Sequence, residues 1–87
     1  MRLKYIFETM ELDDQIVAVP VGEGSDQIHG IIKMNKAAAF IFELLNKETT
    51  EEAIIDAMEK EYDVPRSVVA ADVHRYVKDF MEKGLVV

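Results

Sequence analysis

"GIIKMNKAAAFIFELL", Gly30 to Leu45, changes period in its middle. Up to Met34 the β-branched residues suit a strand; after Asn35 the alanines and leucines suit a helix. Asn35 stands at the junction as a helix N-cap, its side chain accepting from an orphan backbone N–H of the first turn. The following segment is apolar almost all round, which predicts a central, buried helix.

Working outward, Tyr5–Leu12 and Gln15–Val21 are β-rich runs joined by Asp13-Asp14, the pattern of a tight hairpin. Pro20 cannot donate to a ladder and belongs near a strand end or on an outer position. "GEGSDQ" (Gly22–Gln27) is a loop into a third strand at Ile28–Met34. In a meander that strand lies at an edge, with Gly30 permitting close approach of another backbone. Ile28, Ile32 and Met34 share the face expected in the core, and His29, Ile31 and Lys33 the other. A solvent-facing Ile31 would be the more suggestive residue.

Thr49 with Glu52 has capping-box spacing and opens a second helix, with Ile54, Ala57 and Met58 inward. Pro65 suits the first turn of a third helix ending at Lys83 and stopped by Gly84. Its apolar stripe is Val69, Val73, Tyr76, Val77 and Phe80. Val73, Val77 and Phe80 read as core. For Val69 and Tyr76, groove contact and core are equally open. The terminal Leu-Val-Val returns to the core as a short tail.

The bulk numbers exclude several functions. Eighty-seven residues, 49% hydrophobic and 31% charged, make one small globular domain spanning residues 1–87. The absence of cysteine rules out disulfides, thiol nucleophiles and zinc–thiolate sites. The start "MRLKYIFETMEL" is too interrupted by charge for a signal peptide or membrane span, so a cytoplasmic protein is expected, with no membrane partner. A net charge of −7 and the lack of any Lys/Arg cluster argue against nucleic acid. His29 and His74 are the two histidines, and no second ligand shares the helical face of His74. The acidic group Glu8, Glu11, Asp13 and Asp14 lacks the alternation of a calcium loop. "GEG" at Gly22–Gly24 lacks the Lys-Ser/Thr of a phosphate loop. No catalytic residue, metal site or cofactor is therefore expected.

The chain resembles the PqqD-like family, named for a protein of pyrroloquinoline quinone biosynthesis. "VAVPVGE" (Val17–Glu23), the Gly30–Leu45 stretch, "TTEEAI" (Thr49–Ile54), "EYDVP" (Glu61–Pro65) and "DVHRYVKDFMEKGLV" (Asp72–Val86) carry the resemblance, in the family's order and spacing. The resemblance implies an α+β, winged-helix-like domain: a three-stranded antiparallel sheet followed by a three-helix bundle. It implies a non-enzymatic adaptor, which binds the leader of a ribosomally made precursor peptide and presents it to a modifying enzyme, often a radical-SAM protein. The leader would add as a strand beside the third one and face the third helix. On this chain the implied peptide-binding residues are Ile28, His29, Gly30, Ile31, Ile32, Lys33, Val69, Val73 and Tyr76. One departure is Lys36-Ala37, where the family pattern has an acidic or small polar pair. An exposed lysine there opposes the helix dipole by about 0.3–1 kcal/mol. The rival readings are a winged-helix DNA-binding regulator and a subunit that only scaffolds another enzyme.

Overall fold

A computed structural model describes residues 1–22, 24 and 30–87. Three antiparallel strands precede three helices: β1 (Ile6–Leu12), β2 (Gln15–Val21), β3 (Ile32–Met34), α1 (Lys36–Leu44), α2 (Glu51–Glu61) and α3 (Arg66–Glu82). The sheet order is β1-β2-β3, the expected meander, so β1 and β3 are its edges. Leu12 pairs with Gln15 across Asp13-Asp14, and Asp13 takes φ 56°, a left-handed conformation that aspartate tolerates better than most residues. Residues before Ile6 leave the sheet to pair with the C-terminal tail. Leu3 bridges Val86, the Lys4 N–H donates to the Leu85 carbonyl at 2.7 Å, and Leu85 is buried.

β3 is shorter than the expected Ile28–Met34. Ile28 and His29, like most of the expected Gly22–Gln27 loop, lie outside the described residues. Gly30 takes φ +83° and is not part of the strand; an added Cβ there would meet nothing within 4 Å. The left-handed backbone itself favours glycine at this position.

Pro20 supplies a second reason. The register pairs Ile16 with Met34 and Ala18 with Ile32, so continuing the ladder would need a donor from Pro20 toward residue 30. Proline has none, and pairing stops at Ile32.

Asn35 caps α1 as expected, its Oδ1 accepting from the Ala38 N–H at 2.8 Å. Its Nδ2 also donates to the Tyr76 hydroxyl on α3 at 2.9 Å, a link that the sequence did not reveal. α1 is central but not buried all round: Ala38, Ile41 and Phe42 are buried, while Phe40 and Leu44 are half-buried and Glu43 is exposed. Phe42 stacks on Phe7 of β1 (centroids 5.0 Å, 16°) and meets Phe80 of α3 edge-on (5.5 Å, 71°). One side chain thus ties sheet, α1 and α3 together.

The cap of α2 is Thr50, not Thr49; the Thr50 Oγ1 accepts from the Ala53 N–H at 3.1 Å. The Thr49 backbone is engaged with Met1, its N–H donating to the Met1 carbonyl at 2.8 Å, and Glu52 falls one position short of a capping box. Ile54 and Met58 are buried as expected. Pro65 is the residue before α3, not within it. Arg66 follows and donates to Asp56 (2.8 Å) and Glu59 (3.4 Å) of α2, which hold its guanidinium pKa above the ordinary value. Gly84, at φ +74°, ends α3.

Two substitutions test this frame. Phe42→Ala should cost about 3–5 kcal/mol in urea unfolding, the usual loss for a buried phenylalanine; a loss below about 1 kcal/mol would remove Phe42 from its spanning role. Asn35→Ala should cost about 0.5–2 kcal/mol as a lost cap. In a double-mutant cycle with Tyr76→Phe it should show a coupling energy, and strict additivity would mean that the Asn35–Tyr76 bond contributes nothing.

Candidate functional site

Hydrogen-bond parity decides which main-chain groups of the sheet edges face outward. A bridge between Leu12 and Gln15 across a two-residue turn must be a hydrogen-bonded pair, and such pairs alternate along an antiparallel ladder. Gln15, Val17, Val19 and Val21 therefore direct their main-chain groups toward β1, and Ile16 and Ala18 theirs toward β3. Ile32 and Met34 consequently turn inward to β2. Lys33 is the residue of β3 whose N–H and C=O face outward.

Beside that edge lies a groove of about 190 Å³, with Ile32, Lys33, Met34, Asn35 and Ala38 on one side and Tyr76, Asp79, Phe80 and Lys83 of α3 on the other. Met34 and Phe80 form an apolar floor and are 6% and 1% exposed. The rim is polar. Lys83 Nζ donates to Asp79 at 2.9 Å, Asn35 reaches Tyr76, and the Arg75 guanidinium lies 4.9 Å from the Tyr76 ring centroid.

The residues singled out from sequence divide clearly. Ile32, Lys33 and Tyr76 line the groove. Ile31 is 51% exposed and Gly30 is exposed, both just outside β3. Ile28 and His29 lie outside the described residues. Val69 and Val73 are core residues, 2% and 0% exposed, and do not line this groove. Of the apolar stripe only Tyr76 and Phe80 reach the groove, where Asp79 and Lys83 complete the α3 wall in line with Tyr76. That i, i+3, i+7 spacing was readable in the sequence but lay beside the apolar signal. Asn35, besides capping α1, lines the groove and bonds Tyr76 across it.

The other edge, β1, is longer, and parity turns the main-chain groups of Phe7, Thr9 and Glu11 outward there. Thr9, Glu11, Ile16, Lys36, Ala39, Phe40, Glu43 and Tyr62 line a broad depression of about 470 Å³. Lys36 Nζ stands 3.9 Å from Glu11, so the departure from the family pattern falls on this side, away from the β3 groove. His74 Nδ1 is 3.3 Å from Glu51, exposed. Among the described residues no three His, Asp or Glu side chains gather as a metal would require, and no helix is long and apolar enough to cross a membrane.

Residues 15–86 match the family model for coenzyme PQQ synthesis protein D (PqqD). The match spans β2, β3 and all three helices, hence both walls of the groove. Among solved structures, the fold is similar to that of TbiB1 in complex with the TbiA(beta) leader peptide. The TM-score is 0.71 at 24% identity, over 98% of this chain and 93% of that one. No curated protein matches the chain. The family match, covering most of the chain, settles its membership: this is a member of the PqqD family.

Proposed function

We propose that residues 1–87 act as one non-enzymatic recognition unit. It binds the leader segment of a ribosomally made precursor peptide by strand addition to β3 and presents it to a modifying enzyme, a radical-SAM protein or another. The observation that carries this reading is the β3 edge, unpaired among the described residues, beside an apolar groove walled by α3. An edge strand supplies unpaired main-chain groups, and alternate side chains of an added strand drop into the adjoining groove. The family membership and a fold shared with a protein solved around a leader peptide support it.

An adaptor needs no reactive pair, and the groove's two charged residues besides Lys33, Asp79 and Lys83, are engaged with each other. The DNA-binding alternative suffers from the charge of −7. The exposed surface of α3 interleaves Arg75 and Lys78 with acidic side chains, and Arg75 is paired with Asp72 at 3.2 Å. At about 50 mM salt, which favours any phosphate binding, mixed duplexes should show no sub-micromolar affinity. Such affinity would favour the regulator.

The strand-addition reading is tested by three prolines, using calorimetric titration of a precursor leader peptide that binds the parent chain. Amide NMR spectra report folding. Ile32→Pro removes an inward ladder bond and should destabilise the domain severely. Lys33→Pro deletes only an outward donor; the domain should fold and lose the peptide. Thr9→Pro makes the same change on the β1 edge and should bind normally. Loss of binding with Thr9→Pro but not Lys33→Pro would move the dock to β1.

A further inference from the structure

β3 by itself offers an added strand one outward N–H and one outward C=O. Two hydrogen bonds contribute little against the freedom lost on association, so affinity must come from side chains beyond the strand. The structure has a place for one. Ala37, Met58, Tyr62, Val64, Val68, Val69 and Asp72 line a small pocket of about 160 Å³ where α1, α2 and α3 meet. Val64 and Val68, on its rim, are 43% and 49% exposed, while Met58 and Val69 at its base are 5% and 2% exposed. The volume is below the roughly 300 Å³ at which small-molecule sites begin, and suits a single apolar side chain.

This pocket and the β3 groove share no lining residue but lie next to each other along α1 and α3. Asn35, at the end of β3, bonds Tyr76, and Ala38 lines the groove while its neighbour Ala37 lines the pocket. On α3 the wall runs without a break from Lys83, Phe80 and Asp79 through Tyr76 to Asp72, Val69 and Val68, successive turns of one face. A chain paired with β3 and leaving it at the Met34 end passes over the Asn35–Tyr76 bond and meets the pocket next. Phe80 and Val69 lie about 16 Å apart along the helix at 1.5 Å per residue. Extended peptide covers that distance in about five residues.

We infer that the Val64–Val68 pocket is a second anchor for the same leader. It takes one aliphatic or aromatic side chain about five residues from the one that fills the groove beside β3. This rests on the strand-addition reading and adds to it a spacing rule for the peptide.

The probe is a displayed library of linear peptides of about fifteen residues, enough to span both sites, selected on the full chain. Selected binders should carry two apolar positions about five residues apart. Val68→Glu, at an exposed site and confirmed as folded by NMR, should weaken them roughly tenfold. Shortened peptides that keep only the strand-pairing half should bind the variant and the parent equally. The Val64 and Val68 methyl signals should shift with the long peptides and not with the short ones. Unchanged affinity of the long peptides for Val68→Glu, with unmoved methyl signals, overturns the second anchor alone, provided Lys33→Pro still abolishes binding. Binding that survives Lys33→Pro overturns strand addition, and this inference with it.

Discussion

The Asn35 side chain is where the sheet, α1 and α3 are brought to one point. Its oxygen closes the first turn of α1 and its nitrogen reaches Tyr76, and the residue before it ends β3. A serine would cap the helix but has no second group to reach α3. Through that pair of bonds the edge strand and the helix opposite are held at a fixed separation, with Met34, Ala38 and Phe80 filling the space beneath. Phe42, between Phe7 and Phe80, fixes the same relation from inside the core. The groove follows from these two constraints.

The edge is kept short by two residues acting together. Pro20 withholds the donor that would extend the ladder, and Gly30 turns the chain left-handed just before β3. Short edge strands resist promiscuous pairing. They also bind weakly by main chain alone: two hydrogen bonds at about 1 kcal/mol each do not meet an association cost of about 4 kcal/mol or more. Selectivity for a particular leader must then reside in the groove and the pocket next to it along α3.

Local chemistry was legible in the sequence wherever one residue decides the outcome. Asp13-Asp14 marked the hairpin, Asn35 the start of α1 and Gly84 the end of α3. The length of β3 was not legible, because it depends on which β2 residue Pro20 would have to serve, a matter of register between distant segments. Thr49 was displaced as a cap by Thr50 because its backbone pairs with Met1, forty-eight positions away. Val69 and Val73 lie in the stripe that sequence could see, but a helical stripe does not say which neighbour it meets. They meet the core, whereas Tyr76 and Phe80 of the same stripe reach the groove, together with Asp79 and Lys83, which carry no hydrophobic signal.

Amide hydrogen exchange at Lys33 tests the central claim most directly. In the free protein the Ile32 N–H, directed into the sheet, should be protected, and the Lys33 N–H should exchange freely. On saturation with the precursor peptide the Lys33 N–H should become protected while Ile32 changes little. A saturating peptide that leaves the Lys33 amide in free exchange would contradict strand addition at β3.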